Sequence, residues 1–263
     1  MFFFQCTNIL GLGDYLTINE TLYPTRGHFG FRQYNPDKPA KYGLLFRSIN
    51  AVRFPFTYTC LPYSGQPEDI SSHLYIKGVD KLVMALLDKL KPHINISGCN
   101  ISYDNYYTSL SLAIDLLKIN VSTIATLRHN RVGFRSMGLV EGWEEFSIKF
   151  YTHFDNPDIQ LTSYVCKTKN PKNSGKKNVL VLSTHSKMIY GVTTDDGKKK
   201  PAIIKLYDFT KGGTDICDQR IENFTVKVKS RHWTMPALAY LLEYSPCKCT
   251  DHSRLQSWKK STL

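Results

Sequence analysis

The stretch ISYDNYYTSLSLAIDLL, residues 101–117, constrains the fold more than any other. Cys99, Ile101 and Tyr103 alternate with Asn100 and Ser102, the period of two of a short strand with one buried face. Ile94 and Ile96 lie in the opposite phase, so either the strand begins after Gly98 or Gly98 marks a bulge. Asp104-Asn105 then breaks the strand. Leu110, Ala113, Ile114 and Leu117 fall at helical spacing, with Thr108 or Ser109 available as N-cap. An acid at the carboxyl end of a strand in an alternating α/β segment sits where such sheets place their chemistry. The competing reading is that Asp104 only caps the helix.

A chain of 263 residues suits one domain with a substantial insertion, or two domains. Residues 14–40 mix Pro, Gly and basic side chains and read as an extended lead-in exposing Arg26, Arg32 and Lys38. From Lys41 the runs YGLLFRSI (42–49) and FTYTCLPY (56–63) read as strands of a meander joined by NAVRFP. GVDKLVMALLDKL (78–90) places Val79, Leu82, Val83, Leu86 and Leu90 on one helical face, and VSTIATLR (121–128) reads as a further strand. The sum is a mixed α/β sheet. After Asn130, FSIKFYTH, IQLTSYVCKT, NVLVLSTH and KMIYGVTT are short strand-like runs, a β-rich insertion over 131–200. AIIKLYDF (202–209) reads as a returning strand, and TKGGTDICDQRIENF as a glycine turn followed by a helix. Pro236 opens an apolar helix in its first turn, where the missing donor does little harm. The expected divisions are therefore 1–40, 41–130, 131–200, 201–225 and 226–263.

Asp215 and Asp218 are three apart and share a helix face near its N-terminus. Either they complement the helix dipole, or they converge with Asp104 on a divalent metal. Lys and Arg number 34 against 22 Asp and Glu, a net charge of +12 that favours an anionic partner such as nucleic acid over a small neutral ligand. The same excess also serves solubility. Five lysines crowd residues 167–177, among them Lys172, Lys176 and Lys177, and Lys227, Lys229 and Arg231 stand beside His232 and Trp233. These segments suit phosphate contacts and base stacking, or else a mobile loop and an edge strand with a solvated basic face. The seven cysteines are odd in number and scattered, which points to a reducing compartment. Cys247, Cys249 and His252 make at most part of a zinc site. The opening lacks the pattern of a signal peptide and no apolar run approaches the roughly 20 residues of a membrane span. The chain reads as soluble and intracellular, and its abrupt start as that of a fragment.

Several ordered motifs together resemble the transposase domain of the piggyBac family, over roughly residues 14–244. YDNYYTSLSLAIDLL is similar to its Asp-Asn-aromatic-aromatic-Thr-Ser segment, ATLRHNRVG to its strand exit, and IIKLYDFTKGGTDICDQ to its Thr-Lys-Gly-Gly-x-Asp-x-x-Asp-Gln segment. YNPDKPAKYG and SRHWTMPALAY match its Lys-Tyr-Gly entry and its Arg-Trp-Pro region. The resemblance implies a ribonuclease H-like mixed sheet with helices, interrupted by a β-rich insertion. It implies aspartates holding two Mg²⁺ ions that act on a DNA phosphodiester, with DNA as partner, a nuclear location, and a homodimer formed through regions this chain lacks. Asp104 matches the second acid, Asp215 the third and Asp218 a further one. The first acid is expected ten residues after Lys41, which is Ala51. Asn50 beside it is neutral, and Glu68 or Asp69 are the nearby carboxylates that would have to substitute. The expectation is a transposase-derived DNA-binding protein, capable of metal-dependent strand transfer by ancestry and impaired at Ala51. The alternatives are a domesticated DNA-binding or protein-interaction module without catalysis, and an unrelated α/β enzyme whose acids are structural.

Overall fold

The computed structural model describes residues 13–38, 40–53, 56–65, 78–128, 144–167, 175–185, 190–195, 198–223, 225–226, 230 and 232–244. Its frame is the strand Tyr15–Pro24 (β1), which carries Leu16 and Ile18 on one face and Thr17, Asn19, Thr21 and Tyr23 on the other. Both faces are covered, so this strand lies inside the molecule. It pairs antiparallel with Tyr42–Ala51 (β3), from Leu16 opposite Ala51 to Pro24 opposite Gly43. On its other side it pairs parallel with Asn100–Tyr103 (β5), which in turn pairs parallel with Ser122–Leu127 (β6). Gln33–Tyr34 (β2) and Thr57–Pro62 (β4) both hang on β3. The segment read as a lead-in is thus the central strand, and the core begins at β1 and not at Lys41. Its apolar face alternates as a strand should; the Pro, Gly and basic residues that follow it obscured the pattern.

The stretch around Asp104 folds as its spacing requires. Gly98 adopts a φ of 84°, open to glycine without strain, and β5 starts after it, leaving Ile94 and Ile96 outside the strand. Leu110–Lys118 (α2) is capped by Ser109, whose hydroxyl accepts from Leu112 N at 3.0 Å. Val79–Leu90 (α1) buries Leu82, Val83, Leu86, Leu87 and Leu90 against Leu16, Ile18, Ile49, Ala51 and Ile101. Leu112 and Leu116 of α2 complete that side of the sheet.

Beyond β6 the sheet continues through Lys176–Ser183 (β9), Gln160–Lys167 (β8) and Ile148–Thr152 (β7), all antiparallel. These strands of the 131–200 segment therefore extend the main sheet. Val192–Asp195 (β10) and Lys198–Pro201 (β11) form a separate hairpin. AIIKLYDF is not a strand. It belongs to the helix Ala202–Lys211 (α3), because Ile203, Ile204, Tyr207 and Thr210 recur at helical spacing and bury one face against Ile124, Tyr164 and Val181. The adjacent isoleucines and the aromatics gave it a strand-like composition. Gly213–Asn223 (α4) and Thr234–Glu243 (α5) join α3 on the face opposite α1 and α2. No helix among the described residues is long and apolar enough to cross a membrane.

In this second layer α4 comes close to the sheet at Gly213. A Cβ there would lie 2.6 Å from the Ala51 carbonyl oxygen and 2.7 Å from Thr17 Cγ2. Gly213→Ala should therefore lose about 1–3 kcal/mol through forced displacement of α4. A urea titration followed by circular dichroism checks this; an unchanged midpoint would mean that α4 does not bear on β1.

Candidate active site

β1 and β5 run parallel with Ile18 opposite Tyr103, so the register carried one residue further sets Asn19 beside Asp104. Asp104 closes the turn after β5. Its Oδ1 accepts from Tyr106 N at 3.0 Å, and its carbonyl oxygen accepts from Thr108 Oγ1 at 2.9 Å. It does not cap α2, since Ser109 does. The neighbouring Asn105 accepts from Arg128 Nε at 2.7 Å, which ties the exit of β6 to the same edge.

α4 crosses the face of β1 that bears Thr17, Asn19 and Thr21. At its start Gly213 meets Thr17, and Thr214 Oγ1 accepts from Asn50 Nδ2 at 2.8 Å. Further on, Asp218 Oδ1 accepts from Thr21 Oγ1 at 2.8 Å and from the Tyr244 hydroxyl at 2.7 Å. Asp215 stands exposed between these anchors, with its charge acting on Lys211 and Asp218. Asp215 and Asp218 are thus brought together on one helix, and Asp104 stands on the adjoining strand end next to Asn19. Among the described residues, no three His, Cys, Asp or Glu side chains come close enough to hold a metal ion.

Ala51 does not belong to this site. It sits opposite Leu16 and packs with Leu16, Ile18 and Ile49 against α1, on the face of the sheet away from α4. A carboxylate at that position would point into the apolar core. The neutral residue of β1 on the α4 face is Asn19, hidden in the sequence by the likeness of this segment to an extended lead-in. The one signal that marks it is the alternation of Leu16 and Ile18 with Thr17 and Asn19. Glu20 adds no charge to that face. It lies on the opposite face and pairs with Arg47 at 3.1 Å. Asn50 is buried and spends its amide on Ser48, Thr57 and Thr214.

The basic residues divide. Arg26 is exposed, and Arg32 donates to the Gly27 carbonyl at 3.3 Å. Lys176 and Lys177 open β9 opposite Lys167 and Cys166, in the other half of the sheet. Lys172, Lys227, Lys229 and Arg231 lie outside the described residues, as do Glu68, Asp69, Cys247, Cys249 and His252.

Burial raises the Asp218 carboxyl above its ordinary value, against the opposing hydrogen bonds from Tyr244 and Thr21 and the charge of Lys38. A raised folded-state value favours the protonated form. The stability this group contributes is therefore full below the ordinary carboxylate value and declines as pH rises through the raised one. Asp218→Asn keeps the accepting oxygen and removes the charge, so its melting temperature near pH 7 should equal or exceed that of the parent, with a flatter pH profile. Tyr244→Phe, which removes a donor, should lose about 1–3 kcal/mol. Thermal melts from about pH 4 to about pH 8 separate the two; equal losses would show that the ionised carboxylate is needed.

Residues 3–247 match the family model described as Transposase IS4. The chain is 20% identical over 251 residues to the PiggyBac transposable element-derived protein 3 of Homo sapiens, covering 91% of this chain and 40% of that protein. Its identity to the Chimeric ERCC6-PGBD3 protein of Homo sapiens is also 20%, over 91% of this chain and 22% of the relative. Among solved structures it is similar to a piggyBac transposase in a synaptic complex with hairpin DNA, at 26% identity and a TM-score of 0.73, covering 89% of this chain and 45% of that one. This chain therefore spans less than half the length of each of these proteins. The mixed sheet with helices on its two faces is ribonuclease H-like. By this match along nearly its whole length, the chain belongs to the piggyBac-type Transposase IS4 family.

Proposed function

We propose that this chain is a transposase-derived DNA-binding domain that neither cuts nor joins DNA. The observation that carries the reading is Asn19, a neutral amide beside Asp104 on the face that α4 crosses. Two divalent cations at a phosphodiester need several carboxylates to balance their charge. Asp104 and Asp215 supply two, while the Oδ1 of Asp218 is already engaged by Thr21 and Tyr244. Among the described residues, the side chains at this edge do not fit a two-Mg²⁺ site. Strand transfer belongs to the ancestry and DNA binding to the present. The net charge of +12 and the likeness to a transposase in complex with hairpin DNA support that partner. A nuclear location is part of the same proposal, as is pairing of two copies where the family's terminal regions are present.

One observation favours a second reading, a protein-interaction module without DNA binding. Met235, Leu238, Leu241 and Leu242 are exposed along α5. Salt dependence separates the two readings. Backbone binding releases counterions, so affinity for a duplex should fall on the order of tenfold or more between about 50 mM and about 200 mM salt. No duplex binding at low salt would favour the second reading.

The catalytic defect has its own test. The chain is grafted between the terminal regions of an active relative and assayed for strand cleavage with Mg²⁺, unmodified and as Asn19→Asp or Ala51→Asp. Asn19→Asp should raise cleavage above the unmodified graft. Ala51→Asp should not, and should lower stability by placing a charge against Leu16 and Ile49. Cleavage by the unmodified graft equal to that of Asn19→Asp would end the proposal.

A further inference from the structure

At the edge of the sheet, β2 and the start of β3 form a hairpin whose two tyrosines have no obvious structural task. Tyr34 and Tyr42 pair directly across it, with ring centroids 4.7 Å apart and planes inclined at 39°. Cross-strand aromatic pairs do support hairpins. Yet these rings are 56% and 48% exposed, among the most exposed large apolar side chains described. The Arg32 guanidinium lies 4.8 Å from the Tyr42 ring centre. The hairpin is held stiff. Asn35 N donates to the Lys41 carbonyl at 2.8 Å, Asp37 N to Asn35 Oδ1 at 3.0 Å, and Lys38 Nζ to the Glu20 carbonyl at 3.1 Å. At its base Gly43 approaches Tyr23 so closely that a Cβ would lie 2.2 Å from the Tyr23 carbonyl oxygen. Arg26 and Lys41 are exposed nearby, and Asp37 is the one acid among residues 33–42.

We propose that Tyr34 and Tyr42, backed by Arg32, form a stacking platform for the bases of an unpaired DNA strand. The inference rests on the DNA-binding reading above and names the form of DNA. Aromatic faces held rigid beside cations are the means by which proteins hold single strands, the rings taking bases and the cations taking phosphates. Within a duplex, bases offer only their edges to the grooves. The anchoring of Lys38 on the residue after Asn19 ties the hairpin to the strand that carries Asn19.

Fluorescence anisotropy of the full chain tests this with three labelled probes: an oligothymidylate of about ten nucleotides, an abasic strand of equal length, and a duplex. The pair Tyr34→Ala/Tyr42→Ala should weaken oligothymidylate binding on the order of tenfold while leaving the abasic strand and the duplex within about twofold. Tyr34→Phe/Tyr42→Phe should restore it. An unchanged affinity in the alanine pair, an equal loss on all three probes, or a parent chain that binds oligothymidylate no tighter than the abasic strand would overturn the platform. In the last case salt-dependent duplex binding would leave the DNA-binding reading intact. Binding to none of the probes would end both.

Discussion

The contact of α4 with β1 sets the geometry on which the rest depends. Gly213 admits the helix to the Ala51 carbonyl and the Thr17 methyl group, and Asp218, held by Thr21 and Tyr244, fixes its far end. Tyr244 belongs to the layer of α5, where Tyr240 stacks on Phe46 at 3.7 Å and meets Tyr23 edge-on at 5.3 Å. One carboxylate oxygen thus joins the central strand, the acid-bearing helix and the last helix. An acid so used is part of the fold, whatever it once did for a phosphodiester.

Asn19 is an amide and adds no charge to the face of β1 that α4 crosses. Carboxylates gathered for cations repel one another when the cations are away, and burial adds to the cost of each charge. Asn19 spares the sheet that repulsion, and its Oδ1 instead accepts from Glu20 N at 2.8 Å.

Much of this was legible in the sequence, and the failures have a common cause. The strand, turn and helix around Asp104 declared themselves through clean alternation, Gly98 and the Ser109 cap, and Asp215 with Asp218 through their spacing. β1 did not, because a strand covered on both faces carries Thr17 and Thr21 as buried polar residues, which look like solvent-facing ones. That single misreading hid Asn19, which lies on the α4 face of the sheet, whereas Ala51 lies on the other. α3 failed for a different reason: the adjacent isoleucines suit a buried strand and a helix pressed on a sheet equally well, and only tertiary packing decides. The pairing of Tyr34 with Tyr42 needed the register of two strands, which no local pattern supplies.

The tie between Thr21 and Asp218 spans 197 residues, and that between Thr21 and Tyr244 spans 223. The strand at the centre of the sheet is made first and its cover last. At a synthesis rate of about 5–20 residues per second, the polar face of β1 waits roughly 10 to 40 s for α4 to emerge from the ribosome. Pairing with β3 and β5 comes sooner, so the nascent chain passes through a stage in which the sheet exists with one side bare. Contacts of such long sequence separation slow the final step. A chain interrupted before residue 213 would lack the helix that covers the face carrying Asn19.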